Sequence, residues 1–187
     1  PANRPMNGTF TVAATASSGL AVAYSSGTPL VCTNVGATFT MVSGTGTCTV
    51  QYDQAGNGTY SAAPQLTNTT TATLASQTIG TVSFTPATLN VGGTTTVSAT
   101  ATSGLAATFT STTPSFCTVL GTTVTGVAAG TCTIAANQAG NTNYSAATQV
   151  TGNIGVGLSS QTITVSTPAP ANRPMNGTFT VAATASS

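Results

Sequence analysis

The chain has no His, Lys, Glu or Trp, and its 187 residues carry only three charges, Arg4, Arg173 and Asp53. Each absence removes a class of chemistry. General acid–base catalysis and an activated nucleophile both need a positioned titratable partner. Asp53 has none in sequence, and its counterpart in an internal repeat is Asn137. No catalytic residue is assigned, and the chain is read as not an enzyme. Calcium clamps between domains need several carboxylates, so neither a metal nor a cofactor is expected. Without lysine there is no Lys–Asn isopeptide crosslink. Two arginines at equivalent repeat positions are too sparse to neutralise a phosphate backbone, which excludes nucleic acid as a partner. No apolar run approaches the roughly 20 residues of a membrane-spanning helix. Strong helix formers are scarce as well, and no helix is expected.

What is present is β-forming. Thr is the commonest residue, followed by Ala, Gly, Ser and Val, and 40% of the chain is hydrophobic. A mean hydropathy of +0.26 sets it apart from disordered chains, which combine low hydrophobicity with high charge. Branched Cβ atoms favour strands. A period of two runs through 9–14, 20–24, 47–52, 105–109 and 131–134, with small Ala alternating with larger residues at 20–24. Gly, Asn and Pro separate these segments, at 26–29, 34–36 and 56–58 among others. About seven short strands at intervals of about 8–12 residues predict an all-β sandwich.

Repetition is the most informative feature. Residues 1–18 (PANRPMNGTFTVAATASS) recur letter for letter at 170–187, a period of 170 − 1 = 169 residues. A finer repeat lies inside it. The segments 8–12 and 18–20 match 93–97 and 103–105 at an offset of 85. QAGN at 54–57 with YSAA at 60–63 matches 138–141 with 144–147 at 84, and SQTI at 76–79 recurs at 160–163. The period is therefore two related units, 85 plus 84. Self-similarity at a fixed period marks an array. Units of this length hold their own small cores and act as beads on a string.

Each unit carries two cysteines, Cys32 with Cys48 and Cys117 with Cys132. Cys48 shares a strand face with Val50, and Cys132 with Ile134, so the sulfurs are expected in the core. One disulfide within each unit is predicted, with buried free thiols as the alternative. Closing a loop of about 15 residues stabilises by roughly 3 kcal/mol in the chain-entropy model. Disulfides imply an oxidising, extracellular compartment. Zinc is disfavoured, because the pairs are widely spaced and have no His or carboxylate nearby.

At 111–119 (STTPSFCTV) and 124–134 (VTGVAAGTCTI) the second unit resembles the bacterial Ig-like repeats of large surface proteins, with Cys117 and Cys132 in the places of two small residues. The 138–147 segment is similar to a cysteine-containing subgroup of such repeats. The resemblance implies tandem Ig-like antiparallel β-sandwiches on the cell exterior, in stalks, adhesins or fibres. In the first unit it is looser: Met41 replaces Gly126, and one residue is inserted between Gly36 and Gly46.

Aligned on the second unit, a complete domain spans 76–158 and opens with a strand over 77–84. Residues 1–75 form an Ig-like domain lacking its own first strand, and 159–187 are the first strands of the next domain. The missing strand is expected from an equivalent of 161–166 preceding residue 1, either in one continuous polypeptide or donated head to tail by another subunit. The proline-rich 168–174 segment cannot continue a central strand and is expected to link the first strand to the next.

Tyr60 and Tyr144 are read as corner residues with their hydroxyls bonded to backbone. Arg4 and Arg173 are read as solvated linker charges. Asn7, Asn57, Asn68, Asn143 and Asn176 lie in Asn-x-Ser/Thr sequons, which leaves glycans an open question. A surface nearly without charge has no repulsion between neighbours and makes contacts insensitive to salt. The expected partners are copies of the chain itself, head to tail, with lateral packing as a further expectation. The leading expectation is a structural subunit of an extracellular filament. The stalk of a cell-surface adhesin is the alternative, and a sugar- or ice-binding face is a weaker third.

Overall fold

A computed structural model describes residues 3–186. It contains strands and no helix among them. Seven strands come from the first unit: β1 (Arg4–Pro5), β2 (Thr9–Thr11), β3 (Ala23–Ser26), β4 (Cys32–Val35), β5 (Thr38–Met41), β6 (Thr47–Asp53) and β7 (Leu66–Thr73). They form two sheets, ordered β1-β7-β6-β3 and β2-β5-β4. Eight come from the second: β8 (Ser83–Thr85), β9 (Leu89–Asn90), β10 (Thr94–Ser98), β11 (Thr108–Ser111), β12 (Cys117–Leu120), β13 (Thr123–Gly126), β14 (Gly130–Asn137) and β15 (Val150–Gly157). Their sheets run β12-β13-β10-β8 and β11-β14-β15-β9. Taken in chain order, the second pair has the A-B-E-D and C-F-G arrangement of an Ig-like sandwich, with β9 as an added edge strand beside the last.

Alternation places one face of each strand inside. Along β13 the odd residues are exposed or half-buried, while Val124 and Gly126 are buried; β5 does the same with Phe39 and Met41. Two separate cores result. Phe10, Phe39, Met41, Val50 and Ala72 fill the first, and Leu89, Val97, Val124, Ile134, Ile154 and Val156 fill the second. Each core contains a disulfide, Cys32–Cys48 or Cys117–Cys132, with Cα atoms 5.5 Å apart. Because β4 and β6 lie in opposite sheets, as do β12 and β14, each bond staples sheet to sheet. With these disulfides the chain is an all-β protein of tandem sandwiches, one internal disulfide in each.

The sandwiches are not wholly antiparallel. β1 pairs with β7 in parallel (Arg4↔Ala72), and β9 with β15 (Val156↔Leu89). The opening strand of the second unit is also broken, contrary to a continuous strand over 77–84. Ile79 bridges Ala101, and regular pairing resumes at β8 with Ser83↔Ser98. The chain then passes the cis Thr85–Pro86 peptide and joins the other sheet as β9. One strand thus serves both sheets in turn.

At the far end, β16 (Ile163–Thr167) and β17 (Ala182–Ala185) form a two-stranded sheet. Its register is Ile163↔Ala185 and Thr167↔Ala182, with an irregularity between Val165 and Thr167. Moved back by 84 residues, these pairs are Ile79↔Ala101 and Ser83↔Ser98. The hairpin therefore repeats the beginning of the second unit. Residues 1, 2 and 187 of the repeated eighteen lie outside the described residues.

Candidate functional site

Among the described residues no three His, Cys, Asp or Glu side chains come together as a metal site. Asp53 Oδ1 accepts a hydrogen bond from Gln65 Nε2 (2.8 Å), and Asn137 Oδ1 accepts the same bond from Gln149 (2.7 Å). A carboxylate whose repeat equivalent is an amide with the same partner is a structural group. All four cysteines lie in the two disulfides.

The concentrated polar chemistry lies instead at the joint between the units, on the loop that follows β14. Residues 138–147 fold back on themselves: Asn141 N–H donates to Tyr144 O (2.9 Å) and Ala147 N–H to Gln138 O (2.9 Å). The Asn141 side chain accepts from the amides of Asn143 (2.8 Å) and Tyr144 (3.0 Å). Gly140 has φ of 78°, and a Cβ there would stand 2.3 Å from Tyr144 O. The turn needs glycine for both reasons. Residues 54–63 make the same loop in the first unit, with Asn57 bonded to Thr59 and Tyr60.

The first unit docks on this loop. Ala75 N–H donates to Asn143 O (2.9 Å), and Ser145 N–H returns a bond to Ala75 O (2.9 Å), a parallel bridge across the joint. Gly44 N–H donates to Asn143 Oδ1 (2.9 Å), and Asn7 Nδ2 donates to the Tyr144 hydroxyl (3.4 Å). Gly44 approaches so closely that a Cβ would lie 2.7 Å from Asn143 Cα and from Thr142 O.

Two residues further on, Gln77 enters the second unit and is 6% exposed. Its Nε2 donates to Gln138 Oε1 (2.6 Å) and to Ser145 O (2.6 Å), while Ser103 Oγ donates to its Oε1. Both ends of the buried amide are satisfied, as burial of a polar group demands. The two recurring motifs SQTI and QAGN–YSAA are thus plug and socket of one joint. Their recurrence was the signal in the sequence; the pairing between them, 61 residues apart for Gln77 and Gln138, was not.

Two residue roles differ from the sequence reading. The corner tyrosine is Tyr24, whose hydroxyl accepts from Ala14 N–H (3.1 Å) and lies 3.4 Å from Ala14 O. Tyr144 instead turns its hydroxyl to Asn7 of the neighbouring unit, and Tyr60 is 49% exposed. The 138–147 loop folds outward to form the joint surface, which takes Tyr144 away from the backbone of the corner; Tyr60 sits on the equivalent 54–63 loop. Nor is Arg4 a freely solvated linker charge: it lies in β1, half-buried, with its guanidinium carbon 5.8 Å from the Phe10 ring centroid. Arg173, although exposed, stacks likewise over Phe179 at 5.6 Å. The repeat keeps the pair together because an aromatic face attracts a cation.

No family model and no curated protein matches the sequence. Solved structures that resemble the chain include surface layer protein SbsC, domains 1–6, at 18% identity and a TM-score of 0.33, covering 78% of this chain and 21% of that one. Domains 4 and 5 of the S-layer protein SbsC follow at 17% and 0.31, covering 84% of this chain and 92% of that one. A C-terminal 282-residue fragment of intimin, solved with the intimin-binding domain of its translocated receptor, has 18% identity and a TM-score of 0.32, covering 84% and 60%. The chain spans about a fifth of the length of the first of these.

Proposed function

We propose that the chain is a structural segment of a bacterial cell-surface filament, built from tandem disulfide-stapled Ig-like sandwiches and without enzymatic activity. The observation that carries this reading is the recurrence of 1–18 at 170–187, joined to a terminal hairpin in the register of the second unit. In this reading 76–158 is the complete domain, 1–75 is a domain whose opening strand comes from outside it, and 159–187 begins the next. Copies of the chain are the partners.

The joint supports stiffness. Direct backbone bonds at Ala75 and side-chain bonds at Asn7 and Gly44 leave no flexible spacer between the units. Links this short limit relative motion, so the array behaves as a semi-rigid rod. Inter-sheet disulfides hold each bead together under tension, and a surface nearly without charge lets rods lie side by side.

Electron microscopy of the native assembly is the test. Ordered polymers with a constant rise and twist for every 169-residue period are expected. Isolated, flexible threads anchored at one end would overturn the filament and favour an adhesin stalk.

A further inference from the structure

The socket that Gln77 fills in the second unit exists in the first, and there none of the described segments occupies it. The first unit has Gln54, Ser18 and Ser61 where the second has Gln138, Ser103 and Ser145. They are set in the same way. Gln54 Oε1 accepts from Gly56 N–H at 2.7 Å, as Gln138 Oε1 accepts from Gly140 N–H at 2.5 Å. Ser18 Oγ accepts from Leu20 N–H (3.4 Å), as Ser103 Oγ does from Leu105 N–H (3.2 Å). Between these residues lies a cavity of about 510 Å³, lined by Ala16, Ser18, Gln54, Tyr60, Ser61 and Leu66 among others. Beside it the sheet β2-β5-β4 has three strands where its sister sheet has four, and no described strand pairs with the outer side of β2.

A second copy of the plug is present in the chain. Residues 160–163 repeat SQTI of 76–79. Ile79 in its socket is 7% exposed; Ile163 is 74% exposed. Thr162 N–H donates to Ser186 Oγ (3.0 Å) and Ser186 N–H to Thr162 O (3.0 Å), the same exchange that Thr78 makes with Thr102. Residues 182–186 are identical to 13–17. Every backbone bond that β16 makes with β17 is therefore available, in the same register, along 13–17 of another molecule. Only there does the segment also find a glutamine socket and a sandwich core.

We infer that the cavity on the first unit is a docking socket for the extended 160–167 segment (SQTITVST) of a second copy of this chain. Gln161 places its amide between Gln54, Ser61 and Ser18, Ile163 covers the core beside Ala16, and β16 pairs along 13–16, continuing the sheet past the end of β2. The exchange favours the intermolecular state because strand pairing is conserved while a polar amide gains partners and exposed Ile163 is buried. The inference rests on the tandem-unit reading and deepens it with a residue-level site.

A synthetic peptide with the sequence of 158–168 is titrated into the intact 187-residue chain, and amide hydrogen exchange is followed residue by residue. Binding with new protection along 11–18 is expected, and the Q161A peptide binds about tenfold more weakly, the scale for removing a buried hydrogen-bond partner. Because the substitution is in the peptide, folding of the chain does not enter. The chain is expected to self-associate with rising concentration and to be dispersed by the peptide. No binding, or equal binding by Q161A, overturns the socket. Peptide binding by a chain that stays monomeric overturns the second copy as its occupant. Filaments that form without peptide binding leave the fibre standing and the socket refuted, whereas docking without filaments separates them the other way.

Discussion

In the first unit Phe10 on β2 stacks against Phe39 on β5, with ring centroids 5.4 Å apart, and Arg4 lies over Phe10. In the second unit Thr95 takes the place of Phe10, buried, with its hydroxyl donating to Pro86 O (2.6 Å). There the aromatic comes from the neighbouring strand: Phe84 on β8, paired opposite Val97, packs on the core. At the residue equivalent to Phe84, the next opening strand carries Pro168. The ring has moved between adjacent strands of one sheet while the core stayed filled. Close packing constrains the volume at a site more tightly than the strand that supplies it. A unit whose own β2 brings the aromatic keeps a hydrophobic core without relying on a ring from its opening strand. That is the unit whose socket no described segment fills.

The comparison can be broken most directly at the rings. Phe10→Ala removes a ring for which the first unit has no substitute, and a loss of about 3–4 kcal/mol is expected. Scanning calorimetry should show the first unit melting earlier, with the second unit unmoved; a shift of both transitions would show that the cores are not separate. Next in size are the disulfides. Replacing Cys32 and Cys48 by Ala opens a loop of sequence separation 16 and is expected to cost about 3 kcal/mol, as is the Cys117/Cys132 pair at separation 15. The first unit, with a three-stranded sheet, should reach its midpoint at the lower denaturant concentration. Equal midpoints would deny the opening strand a part in stability.

A smaller effect is expected at the joint. The second unit has VAA at 127–129 where the first has VSGT at 42–45, one residue shorter and without glycine. Gly44→Ala drives a Cβ into the Asn143 backbone. Hydrogen exchange at Ala75 and Ser145 should accelerate about tenfold, while both units melt as before. Unchanged exchange would mean that the joint accommodates a methyl group and that the two kinds of joint in the array are interchangeable. The smallest effect is assigned to Asp53→Asn, which makes the first unit's residue the same as Asn137. A change within about 0.5 kcal/mol is expected in urea unfolding, because Gln65 keeps an acceptor. A larger loss would give the charge a role that the repeat denies it.

Much of the architecture was readable along the chain. Period-two alternation at Cys48 and Val50, and again at Cys132 and Ile134, points those side chains inward whichever sheet the strand joins. Equivalent cysteine placement in two copies, at separations of 16 and 15, made an internal bond the natural pairing. The joint was half legible: recurrence marked SQTI and QAGN–YSAA, but their contact depends on how the loop after β14 folds over the end of the sandwich. Tyr144 was misread for the same reason, since a tyrosine after a turn looks alike whether it closes its own corner or faces a neighbour. Arg4 in isolation is a charge in a linker, and only strand pairing with Ala72 sets it beside Phe10.

Composition and period by themselves determined a chain of strands, two sister units, sulfurs turned inward and almost no titratable chemistry. These properties reside in single residues and their spacing. The tertiary structure alone decided which sheet each half of the opening strand joins, which tyrosine closes the corner, and where Gln77 buries its amide. Those outcomes depend on groups far apart in the chain meeting in one place, with every buried donor and acceptor satisfied at once. No local pattern records that condition.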